Sequence, residues 1–330
     1  MKTALLVLAA ALGLPAQPKL LINAQADTRS ASGGLEPAFR ALLAAQPQPA
    51  WIGYLVPAVR TYDGLGCEYV WDGGDGSRGP GSGVVHLEPP DHMVVLMRVE
   101  ENKVSRLRTV SPDCQIDAGN VPFHWLNDVQ PAQSVALLSS LALTSGNAMH
   151  AIAMHADPAA DQALERFLAA DQPEGIRARA VGYFGSTRGP AGFEVLKRVI
   201  ANDNDIRVRE RAVSTLGNLR EPAATDLLTS IAKTNPDARL RSQAVSGLGR
   251  KSGSATIAIL TGIAENDADK NVRRRAISAL QNMPDGEGVP TLIQIAKSSK
   301  DPETKKQAMQ TLEHSRDPRA LTFFEDVLKH

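Results

Sequence analysis

The sequence holds only two cysteines in 330 residues, Cys67 and Cys114, and no paired-cysteine zinc spacing. Charge of one sign is not in excess: Lys plus Arg and Asp plus Glu number 36 each. Nothing in the overall balance would hold a polyanion by counterion release, so nucleic acid is not an expected partner. Beyond the first residues no run of about 18 apolar positions occurs, which argues against an integral membrane span. Gly-x-Ser-x-Gly and His-Glu-x-x-His are both missing, and the glycine-rich stretch from Asp72 to Gly83 lacks the Lys-Ser/Thr ending of a phosphate loop and the acidic spacing of a calcium loop. His150 and His155 are five apart and do not share a helical face, and His86 and His92 merely flank Pro89-Pro90. No catalytic group, cofactor or metal is implied.

What is present begins with a short basic start, Met1-Lys2-Thr3, and a compact apolar run from Ala4 to Leu14. That is the form of a secretory signal, here residues 1–16, with Ala26 as an alternative cleavage point. A periplasmic or secreted protein is expected. Residues 17–50 read as a polar linker or arm with a short helix from Leu35 to Leu43. Residues 51–127 differ in kind, holding all three Trp and three of the four Tyr. Strand-like runs lie at Trp51–Val56, Glu68–Trp71, Val84–Leu87, Met93–Val99 and Val104–Val110. The last two should form a hairpin, with Val104, Arg106, Arg108 and Val110 sharing one face. A small α+β domain is expected, and in an exported chain its isolated cysteine pair favours a Cys67–Cys114 disulfide. Its aromatics, among them Tyr54, Tyr62, Tyr69, Trp71 and Trp125, are either core or the lining of a ligand pocket. Residues 128–146 read as a capping helix with Asp128 as N-cap.

From residue 147 to 330 one pattern returns every 32 residues. Ala180, Ala212, Ala244, Ala276 and Ala308 mark it, each with apolar partners one and four residues on. A second apolar set keeps the same step, as in Val195, Leu196, Val199 and Ile200. Each unit is therefore two amphipathic helices. Its apolar anchors, worth about 2 kcal/mol each when buried, do not match an ordering cost of about 1 to 2 kcal/mol per residue. A unit alone should not fold, and about six must stack as a solenoid.

The order Asp, apolar, Arg, Ala, apolar recurs at Asp205, Val208, Arg209, Ala212 and Val213, then around Asp237 and Arg241, Asp269 and Arg273, and Asp301 and Lys305. In this the chain resembles HEAT-like repeat proteins of the short-unit kind also found in phycobilisome lyases. Pro173 departs from the pattern where the unit of Ala180 should carry Asp. The resemblance implies an all-α superhelix after the α+β domain, with those Asp and Arg residues as a ladder along the stack. It also implies second helices on the concave side, where Lys197, Arg198, Thr229 and Thr261 would border a surface for a protein or peptide. Arg179, Arg211 and Arg275 recur beside the ladder, but neighbouring acids nearly cancel them, so they read as solvated charge. The leading expectation is an exported, non-enzymatic interaction scaffold. The alternatives are a lyase-like protein, an envelope enzyme or ligand binder using Asp72, Asp75 or His86 of the first domain, and a spacer without a specific partner.

Overall fold

The computed structural model describes residues 21–45, 49–60, 65 and 90–329. The chain divides into two compact units, Met1–Arg166 and Phe167–His330. Cys67, the runs Glu68–Trp71 and Val84–Leu87, the glycine-rich stretch and the signal-like start lie outside the described residues.

The first unit is built on strands β1 (Leu21–Ile22), β2 (Gln25–Ser30), β3 (Ala50–Pro57), β4 (His92–Glu100), β5 (Lys103–Val110), β6 (Ile116–Asp117) and β7 (Pro122–Asn127). Five of them form a mixed sheet in the order β2-β7-β3-β4-β5, while β1 and β6 pair apart from it. In the sheet β7 runs parallel to both β2 and β3, and β3, β4 and β5 are antiparallel. Helices α1 (Leu35–Ala45), α2 (Pro131–Leu141) and α3 (Gly146–Met154) complete the unit, with α4 (Pro158–Phe167) at its end. The polar arm is thus not a linker. Its residues Gln25–Ser30 form an edge strand that is almost wholly exposed, and such a strand carries no apolar alternation to reveal it.

Central strands β3 and β4 are buried along nearly their whole length, which explains their continuous apolar runs. One face packs Trp51, Val94, Leu96, Val110, Phe123 and Trp125 against Cys114, Ile116 and Ala118. Gly53 makes room there, since a Cβ would meet the Phe123 ring at 3.0 Å and Leu96 at 3.1 Å. The other face carries Ile52, Tyr54 and Met97, and α2 packs on β3 there, with the Ser134 hydroxyl 2.9 Å from the Tyr54 hydroxyl. Tyr54 pairs across the sheet with Leu126 and Gly53 with Trp125, so Tyr54 and Trp125 point to opposite faces. They are core residues and cannot line one pocket.

The expected β4–β5 hairpin forms, closed by Glu101 and Asn102 at φ 51° and 59°, as a tight primed turn requires. A bulge between Arg98 and Val99 then pairs Val104 with Val99 but Arg106 with Arg98. The extra residue throws Val104 onto the opposite face from Arg106, correcting the strict alternation read from sequence. Nor does Asp128 cap α2. It stands at φ 60°, its carboxylate accepts from the Ser30 hydroxyl at 2.7 Å, and Gln130 precedes Pro131 at the helix start. Helix α2 is buried against α1, α3 and β3. After α3 the chain is stitched to the end of β3, with Val59 N–H donating to Met154 C=O and Ala156 N–H to Pro57 C=O.

Among its described residues the second unit is five helix pairs: α5 (Glu174–Thr187) with α6 (Gly189–Asn202), α7 (Ile206–Leu216) with α8 (Pro222–Thr234), α9 (Ala238–Leu248) with α10 (Ser254–Asn266), α11 (Lys270–Gln281) with α12 (Val289–Ser298), and α13 (Pro302–Glu313) with α14 (Pro318–Lys329). Every marker alanine from Ala180 to Ala308 is fully buried. The first helices pack on one another in succession, α5 on α7, α7 on α9, α9 on α11 and α11 on α13, whereas α8 and α10 meet only lightly. So close is the first-helix layer that a Cβ at Gly185 would stand 2.2 Å from Thr215 Cγ2, and one at Gly249 only 2.9 Å from Ala279 Cβ. A row whose members crowd on one side bends toward that side. The inner face of this stack is therefore the first helices, not the second, because small residues let the first helices approach.

Gly249→Ala should lower the melting temperature, at a cost of about 1 to 3 kcal/mol from overpacking. Gly262→Ala, which meets nothing within 4 Å, should be neutral or stabilising by up to about 1 kcal/mol through helix propensity. Thermal circular dichroism of the two variants checks the contrast.

Candidate functional site

The surfaces of the stack are set by how each pair is fastened. Asp205 and Asp237 begin α7 and α9 as N-caps, accepting backbone N–H of Arg207 and Arg239 at 2.9 Å. Asp269 and Asp301 cap α11 and α13 likewise through Asn271 and Thr304. Pro173 offers α5 no such bond. The carboxylates of Asp205 and Asp237 pair with Arg207 and Arg239, two residues on, rather than with Arg209 and Arg241. Those side-chain bonds hold both carboxyls below the ordinary 3.8, as the Thr304 hydroxyl does for Asp301 and Arg319 for Asp317, which falls to about 2.

The ladder arginines reach beyond their own caps: Arg273 lies 3.9 Å from Asp301, the cap of the next pair, and two others close on an aspartate of the turn after the second helix. Arg241 grips Asp267 with two bonds of 2.9 Å, and Arg177 grips Asp203 with two of 3.2 Å. Burial opposes the charge on Asp267, but Arg241 outweighs it and the pKa is lowered. In the pairs between, the matching positions are Asn235 and Ser299. Arg209 there donates to the Ile200 carbonyl at 2.8 Å, and Arg273 to the Asp267 carbonyl at 2.9 Å. Lys305 is exposed. Asp203 and Asp267 are 64 residues apart, so reading the repeat at twice its period would have found them.

Of the four expected border residues, Lys197 and Arg198 are exposed on α6, Lys197 lying 3.5 Å from Glu194. Thr229 and Thr261 are half-buried on α8 and α10, the Thr261 hydroxyl donating to Ile257 C=O at 2.7 Å. Between α8 and α10 the second helices diverge around a groove of about 420 Å³. Its walls are Ala232, Ala258, Ile259, Gly262 and Ile263, with Lys233, Asn266 and Asp267 toward one end. None of Lys197, Arg198, Thr229 and Thr261 is among the residues that line this concavity. Ala258 and Lys233 were missed from sequence because a wall shared by two helices has no single-helix period.

In the first unit, Ser134 lies 2.9 Å from His155 Nε2 as well as from Tyr54, and the His124 Nδ1 meets Asp27 at 2.5 Å. Ser134, His155 and Tyr54 have no exposed surface, so the hydroxyl is sealed from any substrate in this conformation. Among the described residues no group of three His, Cys, Asp or Glu side chains could hold a metal. No helix there is long and apolar enough to cross a membrane.

By architecture the second unit is an α-solenoid of stacked helix pairs. The HEAT-repeat family profile matches residues 160–249 and 257–330. The chain is a HEAT-like repeat protein, with its N-terminal sheet domain outside that match. No curated protein sequence matches it. Among solved structures it is similar to the complex of CpcE and CpcF of phycocyanin lyase from Nostoc sp. PCC7120, at 21% identity over 44% of this chain and 97% of that one, with a TM-score of 0.35. Human deoxyhypusine hydroxylase in complex with glycerol is similar at 13% identity over 59% of this chain and 90% of that one, TM-score 0.27.

Arg241→Ala should cost about 2 kcal/mol, the worth of hydrogen bonds between charged groups, and Arg209→Ala about half as much; urea denaturation separates them. The caps Asp205, Asp237 and Asp301 have folded pKa values lowered from 3.8. Their stabilisation is full above that value and is lost as pH falls below it through the folded pKa values. Melting followed by circular dichroism should therefore show Tm dropping across that window.

Proposed function

We propose that this chain is an exported scaffold that binds a protein or peptide through the second-helix side of its solenoid. The observation that carries this reading is the groove between α8 and α10, whose floor is open because Gly262 has no side chain. Its size and its apolar walls with a few polar groups at one end suit apolar side chains of a bound segment. The adjoining helices are held by buried residues such as Leu228, Leu260 and Ile263, so docking costs little ordering entropy. Thr229 on α8 and Thr261 on α10 belong to the proposed binding side, as do Lys197 and Arg198 on α6, while none of the four lines the groove itself.

Export rests on the signal-like start, and places the protein in the periplasm or outside the cell. The Cys67–Cys114 bridge belongs to the same proposal. The complete burial of Cys114 and the lack of any free cysteine among the described residues support it.

A photo-crosslinking residue in place of Thr261, used in the exported compartment and read by mass spectrometry, should capture one dominant partner. Gly262→Trp should then abolish the capture without changing the circular dichroism spectrum. Equal capture with the groove filled would refute the site.

A further inference from the structure

The inner face of the stack differs in charge from the chain as a whole. At one repeating position of the five first helices stand Arg179, Arg211, Gln243, Arg275 and Gln307, with no acid among them. The neighbouring row carries Ser214, Ser246 and Ser278, again with no acid. Arg179, Arg211 and Arg275 are all exposed. Nearby aspartates are engaged elsewhere: Asp205 and Asp237 serve as caps for α7 and α9 and pair with Arg207 and Arg239. Asp203 and Asp267 are taken by Arg177 and Arg241. Among the described residues no carboxylate forms an ion pair with Arg179, Arg211 or Arg275. Arg211 is moreover laid against α5, where a Cβ at residue 182 would meet its Nη2 at 2.9 Å. Gly182 therefore seats this guanidinium without neutralising it.

We propose that this first-helix face binds an extended acidic peptide segment. Helices stacked in register stand about 8 to 10 Å apart, and a segment in the extended polyproline II form advances about 3.1 Å per residue with every third side chain on the same side. A carboxylate on every third residue thus meets successive arginines, with a neutral polar residue opposite Gln243. The serine hydroxyls alongside donate within their own helices, Ser246 to Ser242 C=O and Ser278 to Arg274 C=O, which leaves their oxygens free to accept backbone N–H of the segment. A nucleic-acid duplex carries a charge about every 1.7 Å of its axis, far denser than this row. The inference does not depend on the α8–α10 groove, which lies on the other layer of helices.

The test uses the full chain and a fluorescein-labelled decapeptide of alanine, serine and glutamine with glutamate at positions one, four and ten, followed by anisotropy at low salt. A second peptide of the same composition with its three glutamates adjacent, and a ten-nucleotide oligothymidylate, complete the probes. We expect the spaced peptide to bind at least fivefold more tightly than the clustered one. Arg179→Glu, Arg211→Glu and Arg275→Glu together should weaken it at least tenfold, and Arg211→Gln alone about threefold. Thermal melting of each variant verifies the fold, and Gly262→Trp should leave peptide affinity unchanged. No binding of the spaced peptide by the folded protein overturns the proposal. So does equal binding of the two peptides, tighter binding of the oligonucleotide, or loss of peptide binding on filling the groove.

Discussion

The second unit depends on one constraint: how near the backbones of successive first helices can come. Alanine at the centre of each first helix, with glycine near the end of α5, α7 and α9, lets neighbouring backbones come close. Gly249 against Ala279 and Gly185 against Thr215 are the closest points. Second helices carry Leu and Ile at their contacts and stand farther apart, so every pair is a wedge with its thin edge on the same side. The curvature, the open groove between α8 and α10 and the solvent-facing arginine row all follow from that wedge.

Polar fastening follows the same geometry. Where the turn after a second helix holds Asp, as at Asp203 and Asp267, the buried arginine of the same pair closes on it. Where it holds Asn235, the turn bond to the next N-cap survives, Asn235 Oδ1 accepting from Asp237 N–H at 3.0 Å. The charge is absent, however, and Arg209 turns to a carbonyl of the preceding pair. All four arginines bond a carbonyl of the preceding turn or helix, Arg177 that of Gln172 and Arg241 that of Asn235. Arg177 and Arg241 add a bond within their own pair, so the stack is laced along its length rather than held pair by pair. Neighbouring turns add to this, Arg250 donating to Ser214 C=O at 3.0 Å and Arg319 to Gly286 C=O at 2.8 Å.

The first unit meets a different demand. A sheet covered on both faces buries two tryptophans, a tyrosine and a histidine, and it pairs some of their polar atoms while leaving Trp51 Nε1 and His124 Nε2 without a hydrogen bond. Ser134 joins Tyr54 to His155 on one face, and Asp27 at the sheet edge receives His124. Arg98 lies 6.0 Å over the Trp51 ring on the other face, a cation–π contact at the rim of the core. Three of the partners in these contacts, Ser134, His155 and Asp27, come from segments whose sequences read as helix, repeat and linker.

By itself the sequence determined the 32-residue beat, the two helices in each beat, the residues they bury and the caps Asp205, Asp237, Asp269 and Asp301. Each of these is local, written in spacings of three, four or a few residues. It also determined the strands β3, β4 and β5, whose apolar and β-branched runs are strong. Only the tertiary structure decided which helix layer is inner, because curvature depends on the difference between two spacings and neither is encoded along one helix. It alone revealed β2, an exposed strand that exists by pairing with β7, and the bulge that turns Val104 across the sheet. The arginine partners likewise had to be seen in space: a side chain as long as arginine can reach its own cap, its own pair's turn or its neighbour's carbonyl, and packing across the stack selects among them.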